Sequence, residues 1–316
     1  MLPWLPDTLR RLLALPPIYH WPYKNHWDWR LYSTALQLGL TLDMAYRLMN
    51  PGPLPPHFRY RHFTIPKKNG TVREIVEPGP ELKRIQRKIL RVYLDKRKAH
   101  PAALGFRRKT SVADHAWAHA GAGIIITADI QDFFPSTSRQ RVKAWWHSQG
   151  YSTLEVRLLT SLTTYLGSLP QGAPTSPSLS NLVNAELDAA IERRVRASGG
   201  VYTRYADDMV FSWPVGYRPP ADFENAVRGL LRAEGYSLHP DKGWHVWRRQ
   251  DEPEVTGLTL TRRGQVDIPD SMLRIMKLLA KSAEPDDKAR LVGYRGYAAM
   301  VKNAQYRAKS DKNPDR

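Results

Sequence analysis

Apolar residues recur along this chain at two periods, and each change of period marks an element. From Glu81, Leu82, Ile85, Ile89 and Val92 repeat every three to four residues, with Lys83, Arg84, Arg87, Lys88 and Arg91 between them. That spacing predicts a helix with one packed face and one basic face. Phe223, Val227, Leu230 and Leu231 predict another, ended by Gly235. Short apolar runs predict strands instead. The run from Gly123 to Asp129 reads as a buried strand ending in a carboxylate, and Val201–Tyr205 and Met209–Trp213 read as strands around Ala206-Asp207-Asp208. The acidic pair therefore falls at a hairpin tip. Phe63–Ile65 and Thr71–Val76 flank Lys67-Lys68-Asn69-Gly70, where Asn-Gly marks a tight turn. Ser176-Pro177 predicts a helix start, with serine as cap and proline in the first turn, running to about Val195 and stopped by Gly199-Gly200.

These elements predict an α+β chain in three segments. Residues 1–56 form a helical extension holding Trp4, Trp21, Trp27 and Trp29, closed by the proline-rich stretch from Pro51 to Pro56. Residues 57–261 carry the strands and the aspartates, and residues 262–316 form a mostly helical lobe.

Charge sharpens this division. Lys and Arg number 48 against 30 Asp and Glu, a net +18 over 316 residues. Residues 57–110 hold 16 basic and 4 acidic groups and residues 262–316 hold 13 and 7, whereas residues 111–261 hold 14 and 16. Two basic segments thus flank a carboxylate-bearing middle, which points to a polyanion, nucleic acid before membrane. Cysteine is absent, which excludes disulfides, cysteine-ligated zinc and iron–sulfur clusters, and cysteine nucleophiles. No apolar run approaches the ~20 residues of a membrane helix. The leucine-rich start, interrupted by Pro3, Pro6, Arg10-Arg11, Pro16 and Pro17, reads poorly as a secretion signal, so a cytoplasmic protein is expected.

Aspartates in turns are ordinary, but Asp129, Asp207 and Asp208 each follow or precede an apolar strand. Carboxylates at the mouth of a sheet are unfavourable unless cations neutralise them. Mg²⁺ suits such a site because it takes a few hard oxygen ligands and keeps places for water or phosphate. Two ions ~3.5–4 Å apart activate an attacking hydroxyl and stabilise departing pyrophosphate.

Three motifs, in order, resemble reverse transcriptases over roughly residues 60–260. Tyr205-Ala206-Asp207-Asp208 resembles the Tyr-x-Asp-Asp box, and the stretch from Ala128 to Ser136 resembles the preceding aspartate motif. Leu169-Pro170-Gln171-Gly172 through Ser180-Asn181 resembles the Gln-Gly motif of bacterial enzymes. The resemblance implies a right-hand polymerase fold, with fingers, a palm built on an antiparallel sheet, and a helical thumb. It implies Asp129 and Asp207 as principal ligands of two Mg²⁺ ions, Asp208 as the supporting carboxylate, and the Ile130 carbonyl as a further ligand. Lys67 and Arg73 on the fingers hairpin would face the triphosphate of a dNTP, although Lys67 reads equally as an exposed turn lysine. Gln171 and Gly172 would line the incoming nucleotide, Phe134 would be the steric gate against a ribose hydroxyl, and Lys242 either protonates pyrophosphate or is a surface lysine.

Two further stretches resemble retron enzymes. His115-Ala116-Trp117-Ala118-His119 stands where these carry Asn-Ala-x-x-His, with His115 in place of Asn, and Val255-Thr256-Gly257 matches their Val-Thr-Gly motif. His115 and His119, four residues apart on one helical face, either contact RNA or pack. Arg274, Lys277 and Lys281 at helical spacing are candidates to grip an RNA stem. The resemblance implies an enzyme that binds its own structured noncoding RNA and copies part of it from a guanosine 2′-hydroxyl into branched RNA–DNA. Phage defence with a separate effector protein is implied too, as is the lack of RNase H, endonuclease or maturase domains beyond the thumb-like lobe. Another bacterial reverse transcriptase, of defence or group II intron type, and a catalytically idle RNA-binding protein are the alternatives.

Overall fold

The computed structural model describes residues 28–50, 52–66, 70 and 72–310, with side chains to residue 304. Trp4, Trp21, Trp27 and Lys67 lie outside them.

Helices α1 (Trp29–Leu38) and α2 (Leu42–Met49) come first. The Asp28 carboxylate caps α1 by accepting from the amides of Arg30 and Leu31. A two-stranded hairpin follows, β1 (Tyr60–Pro66) with β2 (Val72–Pro78), each strand longer than its apolar core predicts. Helix α3 (Pro80–Ile89) buries Leu82, Ile85 and Ile89 and continues through a wider turn to Leu94. Next come α4 (Val112–Trp117), β3 (Ile124–Asp129), the single-turn helix α5 (Phe133–Ser136), α6 (Arg139–Ser148) and α7 (Thr153–Thr163). Leu31, Leu38, Ile85, Ile89, Val142, Trp146, Leu158 and Leu162 share one core, so the first two helices pack as part of the fingers side of the molecule. Two hydrogen bonds fasten them there. Ser152, the α7 cap, donates to Asp28 at 2.7 Å, and Thr34 donates to Glu155, the other member of the α7 capping box, at 2.7 Å.

The predicted single helix from Ser176 is two: α8 (Ser176–Val183) and α9 (Ala185–Ala197). Asn184 divides them, its side-chain amide donating to the Ser180 carbonyl and the Tyr236 hydroxyl. Ser176 is not the cap. It is the first helical residue, preceded by Thr175, and its hydroxyl donates to the Pro170 carbonyl at 2.7 Å. Strands β4 (Val201–Tyr205) and β5 (Asp208–Trp213) form the predicted hairpin, followed by α10 (Phe223–Ala233) and β6 (His245–Arg248).

The central sheet has order β4-β5-β3-β6, antiparallel throughout. Side chains alternate across a strand, so the sheet has two distinct faces. Ile126, Ala128, Tyr202, Met209, Phe211 and Trp213 pack on α9 and α10 through Leu187, Ile191, Val195, Phe223 and Val227. Ile125 and Val210 pack with Ala113 and Ala116 of α4 and with a small three-stranded sheet. That sheet is β7 (Glu254–Val255), β8 (Leu258–Leu260) and β9 (Val266–Asp267), so the expected boundary at 261/262 falls within its β8–β9 turn. Helices α11 (Asp270–Leu279) and α12 (Pro285–Ser310) form the C-terminal lobe, which reaches the same core through Val301 and Ala304.

Candidate active site

Cross-strand register brings the carboxylates together. Asp129 at the end of β3 is paired directly with Asp208 at the start of β5, and Asp207 sits on the turn between β4 and β5. The turn is tied to the strand end by the amide of Ile130, which donates to the Asp207 carbonyl at 3.0 Å, and the Asp129 carbonyl accepts from His239 at 2.8 Å. A cavity of about 220 Å³ opens beside them, with Asp129, Asp208, Thr127, Lys242, His245 and Thr256 in its wall.

These carboxylates are half-buried. Burial raises Asp207 above the ordinary aspartate value, against the opposing pull of its backbone hydrogen bond and of Arg73, Lys242 and Arg204. Asp208 is pushed up to about 7, first by burial and then by the charges of Asp207 and Asp129, with Lys242 opposing. Adjacent desolvated carboxylates of like charge are a site that favours cations. Among the described residues no three His, Asp or Glu side chains converge as a group that could hold a metal ion. An open carboxylate set still fits magnesium, which prefers one or two protein carboxylates together with water and substrate phosphate.

The remaining expected site residues divide into three groups. Arg73 on β2 and Lys242 are exposed, and their charge acts on Asp207, so both lie on the carboxylate side of the molecule. Gln171 and Gly172 dock on the fingers hairpin: the Gln171 carbonyl accepts from Val76 at 2.8 Å, and Gly172 has φ +133°. A Cβ on Gly172 would stand 3.0 Å from both Ile75 and the Val76 carbonyl. The close approach that requires glycine there is to β2. Phe133 and Phe134 fall on the single turn of α5 rather than on a strand, and they part company. Phe133 is buried and stacked on Tyr236, whereas Phe134 is partly exposed with Phe106 at 5.9 Å. Ile130 is buried at the strand end.

The histidines go elsewhere. His115 on α4 and His119 on the turn just beyond its end are 0% and 1% exposed, so neither ring is presented to RNA; their RNA-contact reading is corrected to a packing one, and the two do not share one helical face. Thr203 joins them, its hydroxyl 2.7 Å from His115 Nδ1 and 2.7 Å from His119 Nε2, and His119 Nδ1 lies 2.7 Å from the Ser212 hydroxyl. Burial, with Arg204 assisting, lowers His115 to about 3, and burial together with His115 keeps His119 well below its ordinary value. Both rings are neutral at neutral pH. Arg274 and Lys277 are exposed on α11, and Lys281 lies just beyond its end, so the three do not share one helix. The Val255-Thr256-Gly257 turn borders the carboxylate cavity through its first two residues.

Sequence reading missed Arg204 and Asp188, an ion pair 1% and 0% exposed, directly behind the carboxylate turn. Phe106, part of the Gly105-Phe106-Arg107 stretch that resembles a shared bacterial element, also stands by this turn, its ring 6.4 Å from Tyr205. Gly105 packs so closely on the turn that a Cβ there would come within 2.6 Å of the Ala206 amide.

An antiparallel sheet that sets two aspartates opposite each other, with a third on the connecting turn and a basic hairpin nearby, defines a right-hand polynucleotide polymerase. The chain belongs to the reverse transcriptase (RNA-dependent DNA polymerase) family, whose model matches residues 65–260. Its curated relatives are bacterial retron reverse transcriptases. It is 42% identical over 207 residues to the Retron Ec86 reverse transcriptase of Escherichia coli, covering 65% of this chain and 64% of that protein. It is 36% identical over 233 residues to the Retron Mx162 reverse transcriptase of Myxococcus xanthus, covering 65% and 48%. The Retron Mx65 enzyme of Myxococcus xanthus is 32% identical over 279 residues, covering 79% and 64%. The chain thus matches between about half and just under two thirds of these relatives' lengths. Among solved structures, telomerase from Candida albicans with a fragment of telomeric RNA superposes with TM-score 0.51 at 9% identity, covering 87% of this chain and 64% of that one. That likeness is one of fold. No helix among the described residues is long and apolar enough to cross a membrane.

Proposed function

We propose that this protein is an RNA-directed DNA polymerase that copies part of a cognate structured noncoding RNA into branched RNA–DNA. The observation that carries the reading is the register of Asp129 opposite Asp208, with Asp207 on the adjoining turn and the charges of Arg73 and Lys242 acting on it. Asp129, Asp207 and Asp208 would hold two magnesium ions, with the Ile130 carbonyl as a further ligand. When bound there, magnesium supplies Lewis-acid activation of the attacking hydroxyl and neutralises charge on the departing pyrophosphate.

The chain's own groups supply the rest. Arg73 offers a planar fork of donors to phosphate oxygens of the dNTP, and Lys242 offers a point charge and a proton to pyrophosphate. Lys67 joins Arg73 in the triphosphate reading. Gln171 and Gly172, held on β2, form a floor under the incoming nucleotide. Phe134, partly exposed where Phe133 is buried, meets the sugar. Arg274, Lys277 and Lys281 hold RNA by its phosphates, in a term that weakens with salt.

The names of the relatives support a retron reverse transcriptase; on this reading we further propose a guanosine 2′-hydroxyl as the priming group, a role in phage defence in the cytoplasm, and a separate effector protein. The test is primer extension on an RNA template with dNTPs and Mg²⁺, alongside sequencing of nucleic acid copurified from the native host. DNA covalently joined to a host RNA supports the retron reading. DNA synthesis without a linked RNA favours another bacterial reverse transcriptase, and RNA capture with no synthesis leaves the idle RNA-binding protein.

A further inference from the structure

We infer that Arg204 and Asp188 form a buried clamp that fixes the Ala206–Asp207 turn, making both of them positioning residues for the carboxylates. The inference rests on the reading of Asp129, Asp207 and Asp208 as the catalytic set.

Ala206 has φ +59°, the left-handed region, which is unfavourable for a residue carrying a Cβ. Something must hold it there. Its carbonyl accepts a hydrogen bond from Arg204 Nη1 at 2.9 Å. The rest of that guanidinium is fixed by Asp188 on α9, which accepts from Nε at 2.8 Å and from Nη2 at 2.6 Å. Asp188 in turn takes the Tyr202 hydroxyl at 2.8 Å, and the guanidinium lies 5.2 Å over the Phe133 ring. Each of the three guanidinium nitrogens therefore has an assigned acceptor, one of them the backbone of the turn. On the other side, the Asp207 carbonyl is held by the Ile130 amide, so the turn is gripped from both flanks.

Stability alone does not explain this choice of residues. A buried ion pair is commonly replaced by packed apolar side chains without loss of stability. What apolar side chains do not replace is a directed donor to the Ala206 carbonyl. Lysine fails too, since one ammonium on a flexible stem cannot hold both Asp188 oxygens and the turn in a fixed plane. A buried arginine locked by a buried aspartate suits the holding of one strained peptide in one orientation, and Asp207 is the next residue.

The test compares the full-length parent with Arg204→Lys, Asp188→Asn and the apolar double variant Arg204→Met/Asp188→Leu. Melting temperature, RNA affinity, single-turnover kcat, KM for dNTP and Mn²⁺ affinity by electron paramagnetic resonance are read for each. The double variant is expected to melt near the parent and bind RNA like it, with kcat reduced about 30-fold or more, KM within about twofold, and Mn²⁺ bound several-fold more weakly. Parental kcat and Mn²⁺ affinity in the folded double variant overturn the clamp. Should the double variant fail to fold, Arg204→Lys decides: a folded protein with kcat down about tenfold supports the clamp, and one with parental kcat and Mn²⁺ affinity refutes it. If the parent itself makes no DNA, the functional reading has failed, and the Mn²⁺ titrations still judge the clamp.

Discussion

At one end of the β4–β5 hairpin, Asp207 and Asp208 lie beside Asp129 at the end of β3, and burial raises both, opposed only in part by Arg73 and Lys242. Toward the other end, His115 and His119 are buried more deeply, yet Thr203 and Ser212 satisfy three of their ring nitrogens without any charge. One end keeps like-charged ionisable groups side by side. The other gives up ionisation and gains a neutral hydrogen-bonded chain that joins α4 to the sheet. Burial of titratable side chains therefore does not by itself mark a functional site. What separates the two is charge: like-charged carboxylates gather at one end and neutral rings bonded to hydroxyls at the other.

The largest effect comes from breaking the carboxylate end. On the proposed function, Asp207→Asn removes a charge that would stabilise the transition state, and losses of preorganised electrostatic stabilisation are commonly about 100- to 1,000-fold in kcat. RNA affinity, which derives mainly from phosphate contacts elsewhere, should stay within about twofold. Single-turnover extension and filter binding on the same preparation check both halves. Substantial extension by a folded Asp207→Asn protein would place the chemistry elsewhere.

The two ends also predict opposite pH dependence, which sharpens the comparison. His115 falls to about 3 in the folded protein against an ordinary 6.5, so its contribution to stability is present above pH 6.5 and is lost as pH falls toward 3. Asp208 rises from 3.8 to about 7, so its contribution is present below 3.8 and is lost as pH rises to about 7. Between pH 4 and 6.5 the two oppose each other in the metal-free protein. Asp208→Asn removes one side, so stability should fall with acid more steeply than in the parent, by about 1.4 kcal/mol per pH unit. Denaturant melts of both proteins from pH 4 to 8 in a chelator test this. Identical slopes would mean that the carboxylate end is not desolvated as described. Added Mg²⁺ should stabilise the parent above pH 7 and have little effect below pH 5.

A contrast in burial recurs in Phe133-Phe134, the first buried and the second partly exposed. Phe134→Ala opens space beside the sugar, and relief of an overlap worth about 1–3 kcal/mol should raise ribonucleotide use relative to deoxyribonucleotide by about tenfold. Phe133→Ala leaves a hole against Tyr236 and should cost about 3–5 kcal/mol of stability with little change in sugar choice. Single-nucleotide kinetics and melts separate the two, and unchanged discrimination in Phe134→Ala would dismiss the gate.

Much of this was legible in the sequence because short-range rules govern it. Apolar runs and turn residues locate β3, β4 and β5, and hairpin geometry puts Asp207 and Asp208 near a tip. The cross-strand partnership of Asp129 and Asp208 needs the β3–β5 register, which motif order suggests but spacing cannot fix. Helical spacing predicts one face for His115 and His119, but the helix stops at Trp117, and only the packing on β4 and β5 brings both rings to Thr203. Ser176-Pro177 reads as a capped start because the Pro170 carbonyl, six residues back, is invisible as a competing acceptor. Arg204 and Asp188 are 16 residues apart, and only the packing of α9 against the sheet makes them partners.

The smallest effect is expected farthest from both ends of the hairpin. Arg274, Lys277 and Lys281 are exposed charges with no part in the carboxylate site, so their contribution to RNA binding should be electrostatic and roughly additive. Each phosphate contact adds about 0.7–0.9 to the slope of log affinity on log salt. Replacing all three by glutamine should therefore lower that slope by up to about 2–3, weaken RNA binding at moderate salt, and leave kcat on saturating template unchanged. The geometry adds a finer expectation. Arg274 and Lys277 share α11, whereas Lys281 follows its end, so the Arg274→Gln/Lys277→Gln pair should account for most of the change if one helix face meets the RNA. Affinity measured across a salt series for the pair and the triple variant tests this, and parental slopes in both would show that α11 packs without touching RNA.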